Sequence, residues 1–274
     1  MGFRVLITIL FGLICCSNNA YITPLAGEKK SYLERQKELQ LDKDWIREAL
    51  DVYSFFNYLG DLHNKTVLDL ACEDGYFSKS FVKHGASKVV CIGFSKSLVE
   101  FARTRYKGLQ NVSYYVDNGL SLQRKFGQFD VVVGENLFGY AKSLNELEKM
   151  FTTIYQSLKP GGYFVGTSPN ILPGQQNTEV GYYRKYDFDI NYQTPITEGS
   201  LIDCYTYNPD GSILHVKHYH YSYESYQKAS KKAGFKQLEV LPMLVSPDIT
   251  EVLGEKFWIA YRAKPNAVLI RLQK

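Results

Sequence analysis

Residues 67–77 read V-L-D-L-A-C-E-D-G-Y-F. An apolar strand over 66–71 carries an acid, Asp69, near its end. Small residues follow, and Gly75 opens a helix over 77–84. Strand, small-residue turn and helix together make a ligand loop. Small residues let the backbone approach a ligand, and the helix N-terminus offers free N–H groups to an anion. The positions two, four and six after the acid are Ala71, Glu73 and Gly75. Glu73 is the exception among them, because it sets a charge in the middle small position. The spacing does not fit the G-x-G-x-x-G of dinucleotide folds, which disfavours a nicotinamide dehydrogenase.

On both sides of this loop strands and helices alternate. Strands are expected over 66–71, 88–92, 112–116, 129–133 and 163–166, with helices over 77–84, 96–105 and 143–158. Lys159-Pro160-Gly161-Gly162 stops the last of these helices. The alternation predicts an α/β fold with a doubly wound, mostly parallel sheet of seven strands, Rossmann-like in winding. The sheet closes with strands over 235–241 and 267–272. A helix over 31–60 precedes the first strand, another covers 223–233, and a short one starts at Ser246-Pro247-Asp248. From Asn170 to about Gly211 no helical pattern is visible. Asn208-Pro209-Asp210-Gly211 is a turn signal that splits a hairpin, 201–207 and 213–221. We read 170–221 as a β-rich lid inserted in a single domain over 21–274.

Further motifs accompany the loop in order. Asp117-Asn118 ends the third strand, Phe129-Asp130-Val131-Val132 begins the fourth, and Lys159–Gly162 precedes the fifth. The set resembles class I methyltransferases, which bind S-adenosylmethionine (SAM). The resemblance implies a SAM-dependent methyltransferase fold and assigns cofactor-binding roles to Asp69, Ala71, Glu73, Gly75, Gly93, Phe94, Asp117, Asn118 and Glu135. The stretches 138–143, 183–188, 222–234 and 244–247 are similar to a family of small-molecule methyltransferases that includes the toxoflavin-biosynthesis enzyme. That likeness spans about residues 45–274.

Two positions depart from the family pattern. Glu73 replaces a small residue, and Gly93 stands where an acid holds the ribose hydroxyls, with Phe94 on the residue that packs the adenine face. Losing one charge-assisted hydrogen bond costs about 1.5–3 kcal/mol, or roughly 10- to 100-fold in affinity. Either Glu73 substitutes for the missing carboxylate, or the site has decayed and Glu73 repels the methionine carboxylate of SAM. The corresponding functions are methyl transfer to a small-molecule acceptor by in-line displacement, or a secreted binding protein that has lost turnover.

Candidate catalytic residues are Tyr140, at the carboxyl edge after the fourth strand, and His218 on the hairpin. Alternation puts His218 and His220 on one face and His215 on the other. No Cys or carboxylate cluster accompanies these histidines, so no metal is expected. Tyr182, Tyr183, Tyr186 and Tyr192 form either a lid core or an aromatic wall for the acceptor.

Composition bounds the rest. A formal charge of +4 over 274 residues, without a dense basic run, gives no argument for nucleic acid. Arg4, an apolar run over 5–14 and small residues over 17–20 form the three-part pattern of a signal peptide, cleaved near Ala20. The run is too short to span a bilayer, so a stable membrane anchor is not expected and secretion is. Cys72, Cys91 and Cys204 remain after cleavage, too few for a disulfide framework. Asn64 and Asn111 lie in sequons that make the secreted chain a candidate glycoprotein.

Overall fold

The computed structural model describes residues 45–172, 181–208 and 210–274. The expected signal peptide and the first part of the expected N-terminal helix lie outside the described residues. The first described helix, α1, runs through Trp45–Arg47, a π-helical stretch Glu48–Val52 and Tyr53–Leu59. It ends at Gly60, whose φ of 69° few other residues adopt cheaply.

Ten strands follow: β1 Thr66–Asp69, β2 Lys88–Gly93, β3 Val112–Val116, β4 Phe129–Gly134, β5 Leu158–Pro169, β6 Phe188–Tyr192, β7 Leu201–Tyr207, β8 Ile213–Tyr219, β9 Gln237–Pro242 and β10 Ala267–Gln273. The remaining helices are α2 Ser78–Lys83, α3 Lys96–Arg105, α4 Leu144–Ser157, α5 Tyr223–Ala233, α6 Pro247–Leu253 and α7 Glu255–Ala263. No helix among the described residues is long and apolar enough to cross a membrane.

Seven strands form one sheet in the order β3-β2-β1-β4-β5-β10-β9. β10 is antiparallel to both neighbours, and the other pairs of β1 to β5 are parallel. Helices cover both faces, so consecutive strand residues are both buried. Val67, Val89, Val131 and Val133 face the core shared with α1, α2 and α3. Leu68, Val90, Ile92 and Val132 face the core shared with α4 and α5. That explains why the strands read as unbroken apolar runs. The chain winds from β1 out to β3, then crosses to β4 on the other side of β1. The crevice at this reversal, beyond the carboxyl ends of β1 and β4, is where open α/β sheets bind ligands.

The turn at Lys159–Gly162 lies inside β5 and not before it. The register against β4 shifts between Phe129 and Val131 there, so the turn residues form an irregular start to a longer strand. A second sheet, β6-β7-β8, is antiparallel throughout. Its hairpin is the expected one, while β6 was not read from the sequence.

The tyrosine-rich stretch packs as core. Tyr183 and Tyr186 are fully buried in the same cluster as Trp45, Trp258 and Tyr261. Their hydroxyls donate to the Lys264 and Phe257 carbonyls at 2.7 and 2.9 Å, and Tyr182 donates to Ala260 O at 2.8 Å. Trp45 Nε1 donates to Asp187 Oδ2 at 2.8 Å, tying α1 to the turn before β6. The near end of the insertion is therefore fixed to α1 and α7. Replacing Tyr186 by Ala should cost about 3–5 kcal/mol. Urea unfolding should show that loss in a single transition. A loss below about 1 kcal/mol would mean that the insertion is not part of the main core.

Candidate functional site

The loop after β1 is set by backbone hydrogen bonds on both sides. Leu70 N donates to Val133 O and Cys72 N donates to Ile92 O, each at 3.0 Å. Asp69 is buried at the end of β1, and its Oδ1 accepts from Ala71 N at 3.2 Å. Gly75 has φ 75°, and a Cβ there would lie 3.0 Å from Ala102 Cβ and from the Tyr114 ring. This glycine therefore serves packing against α3 and β3 as well as the turn.

Glu73 has φ 45°, in the left-handed region. A left-handed conformation explains why a small residue, above all glycine, suits this position. For a residue with a Cβ it costs roughly 1–2 kcal/mol. Tyr140 donates its hydroxyl to Glu73 Oε1 at 3.2 Å. Tyr140 ends a 3₁₀ turn, Leu137–Tyr140, directly beyond β4. Its ring meets the Phe94 ring edge-on at 6.3 Å and the His218 ring edge-on at 5.3 Å. Phe94, after β2, is 60% exposed, an open aromatic face at the edge of the crevice.

His218, on β8, lies over the 3₁₀ turn and packs against Gly139. Burial holds its imidazole down at about 4, so it is neutral at pH 7. Nδ1 lies 3.6 Å from Cys204 Sγ on β7, and Nε2 has no protein partner among the described residues. Cys204 is no reactive thiol, because burial, with Asp203 nearby, pushes it up to about 12. His215 is turned elsewhere, to Asp203 at 2.6 Å and a stacked Tyr205.

The sequence reading missed Arg47 and Asp51 on α1. Arg47 Nη2 bonds Glu135 Oε2 at 2.7 Å, and the guanidinium lies 4.1 Å from the centre of the Tyr76 ring. Asp51 sits in the π-helical stretch, a distortion frequent at functional sites. An Arg–Asp pair four residues apart in an aromatic-rich helix was the available signal. Burial pushes the Asp51, Asp69 and Glu73 carboxyls each up to about 7, and the Glu135 carboxylate raises them further while Arg47 opposes. Glu135, ion-paired to Arg47, thus acts on all three carboxyls.

Other expected site residues are placed apart from it. The Asp117 carboxylate accepts from the amides of Asn118, Gln123 and Arg124, at 2.7, 3.1 and 3.2 Å, and so holds the loop after β3. Asn118 is exposed. At Gly93 a Cβ would come within 2.9 Å of Val99 Cγ2 and 3.8 Å of Glu73 N. Val99 therefore occupies room that an acid at 93 would need. Among the described residues no cluster of three or more His, Cys, Asp or Glu is arranged to hold a metal.

Residues 67–162 match the methyltransferase domain family. A demethylmenaquinone methyltransferase of Leptospira interrogans is 36% identical over 119 residues, covering 40% of this chain and 43% of that protein. EEF1A lysine methyltransferase 2 of Danio rerio is 30% identical over 115 residues, 39% of this chain and 49% of that protein. The chain thus spans less than half of the length of the relatives it matches. A SAM-dependent methyltransferase structure from Mesorhizobium loti superposes with a TM-score of 0.57 at 17% identity, over 86% of this chain and 100% of that one. The CcbJ methyltransferase of Streptomyces caelestis gives 0.56 at 14% identity, over 85% and 90%.

The surplus of carboxyls has a consequence for stability. Groups raised from about 4 to about 7 on folding stabilise the fold below their unfolded values. That contribution is lost as pH rises through about 7. The urea midpoint should therefore be higher at pH 5.5 than at pH 8. Glu73→Gly removes one such group and the left-handed strain, and should stabilise the protein by about 1 kcal/mol at pH 8. A destabilised variant would mean that the Tyr140 bond outweighs both. The order of the strands, the loop after β1 and the domain match give this chain the class I methyltransferase fold.

Proposed function

We propose that the chain is a SAM-dependent methyltransferase acting on a small-molecule acceptor. The observation that carries this reading is the charge pattern of the crevice: one guanidinium, Arg47, among Asp51, Asp69, Glu73 and Glu135. SAM carries a carboxylate, an ammonium and a sulfonium, a net positive charge. The donor set fits it. Arg47 would take the carboxylate end, and the surplus carboxyls would take the cationic groups. Phe94 would cover the adenine face, and Asn118 would reach its edge, since Asp117 is occupied by loop amides. Glu73 is the added carboxylate of the loop, and it would replace the ribose ligand absent at Gly93.

Bound SAM supplies a methyl carbon made electrophilic by its sulfonium. The protein's share is alignment and exclusion of water. Tyr140 is fixed for this by Glu73 at its hydroxyl and by Phe94 and His218 at its ring. Neutral His218, with Nε2 unengaged, would hydrogen-bond the acceptor. A base is needed only where the acceptor atom carries a proton.

The relatives' names point to different acceptors, a quinone precursor in one and a protein lysine in the other. The packing of His218 of β8 on Tyr140 favours a small molecule. The likeness to the toxoflavin-type enzymes supports the same acceptor class. With the tyrosines packed in the core and Phe94 on the adenine, Tyr140 would offer the acceptor an aromatic surface.

Calorimetric titration of SAM into the purified chain should give one saturable site. Phe94→Ala should weaken it by about 1–3 kcal/mol, the scale of base–aromatic stacking. Absence of binding up to millimolar SAM would overturn the reading in favour of the non-catalytic alternative.

We also propose that the chain enters the secretory pathway and loses residues 1–20. Asn64 is exposed, whereas Asn111 Nδ2 donates to Ala86 O at 2.8 Å. Mass spectrometry of protein from a eukaryotic secretion host should find a new N-terminus near Tyr21, with any glycan on Asn64. An intact Met1 would contradict the proposal.

A further inference from the structure

We infer that Glu73 makes the crevice select the charged sulfonium form of the cofactor over its neutral thioether product, S-adenosylhomocysteine (SAH). The inference rests on the SAM reading above. Methyl transfer forms a bond from the acceptor to the methyl carbon and breaks the bond from that carbon to sulfur. The sulfur keeps the electron pair, so the cofactor loses one positive charge. A protonated acceptor also releases its proton.

The charged groups around the crevice decide which form is held better. From α1 come Arg47, Asp51 and Glu48. Arg47 is ion-paired to Glu135 at 2.7 Å, and the Glu48 carboxylate accepts from the Tyr76 hydroxyl. From β1 and its loop come Asp69, Glu73 and Asp74. Asp74 lies 3.8 Å from Arg105 of α3. Asp117, at the end of β3, is held by loop amides. Beyond β4 stand Glu135 and Tyr140, and β8 brings only neutral His218. From α7, Tyr261 neighbours Asp51.

Arg47 meets Glu135, and Asp74 meets Arg105. Among the described residues Asp69 and Glu73 then have one neutral hydrogen-bond donor each, an amide and a phenol, with Arg47 acting on both from farther off. Of these two, Asp69 belongs to the strand end common to the fold. Glu73 is the added charge. It occupies a position where glycine would be free of strain, and its carboxylate is turned toward Tyr140 at the crevice. Two unit charges several ångströms apart in a partly screened site interact strongly enough for about a tenfold difference in affinity. The same argument makes the preference depend on ionised carboxyls, so it should be present above about pH 7 and fade below it.

The test is calorimetric titration of the full chain with SAM, with SAH and with sinefungin, which keeps a positive charge near the sulfonium position. Titrations are run at pH 6 and pH 8 on wild type, Glu73→Gln and Glu73→Gly. Thermal melting confirms that each variant is folded, and the glycine variant serves if the glutamine one is not. SAM and sinefungin should bind about tenfold tighter than SAH at pH 8 in wild type. The ratio should fall below about threefold at pH 6 and in both variants. Equal affinities at pH 8, tighter SAH, or a ratio unchanged in the variants would overturn the inference while leaving the SAM reading standing. No binding of any of the three at either pH would overturn both.

Discussion

The site depends on a conformational exception in the loop after β1. Glu73 takes a left-handed backbone that costs a residue with a Cβ roughly 1–2 kcal/mol, and it does so in a turn fixed on both sides by backbone hydrogen bonds. The conformation turns its carboxylate toward Tyr140, which touches Phe94 on one side and His218 on the other. The ligand loop, the rim of β2 and the second sheet therefore meet at one phenol. Strain of this kind persists only where the surroundings over-determine it, and it concentrates at functional sites.

Electrostatics and stability pull in opposite directions here. The carboxyls of Asp51, Asp69 and Glu73 are crowded into a partly buried crevice with one guanidinium that is already paired. In the free protein such crowding opposes ionisation and weakens the fold as pH rises. A cationic ligand reverses the balance, because it gives the surplus charge a partner. Trp45, Tyr186, Trp258 and Tyr261 hold α1 and α7 around this crevice, so its walls are a rigid aromatic core.

Much of the fold was legible in the sequence because both faces of the sheet are covered. Val67–Leu68 and Val131–Val132 send neighbouring side chains into different cores, and that produces the unbroken apolar strands the reading relied on. The helices α3 and α5 were placed at their observed bounds, and the structure shows Ser95 and Ser222 capping their starts and Gly234 ending α5. Strand β6 was missed because Phe188–Tyr192 mixes Asp and Asn with aromatics inside a stretch rich in turn-forming residues. The tyrosines before it carry polar tips, so pattern alone did not separate core from pocket wall. Arg47 was missed because its partner Glu135 is 88 residues away in sequence, so spacing along α1 alone did not mark the pair as part of the site. The departure at Gly93 was visible, but its cause was not: Val99 fills the space an acid would need.

The central claim is that Glu73 is a surplus carboxyl, bonded to the Tyr140 phenol and kept for a cationic ligand. The most direct measurement is carboxyl-carbon NMR of the protein labelled in glutamate, with the Glu73 signal assigned by its loss in Glu73→Gln. Titrated without ligand, this carboxyl should have its midpoint at about 7. Saturating SAM should move the midpoint down by more than one pH unit. A midpoint near the ordinary glutamate value of about 4.3 without ligand, unmoved by SAM, would contradict the account.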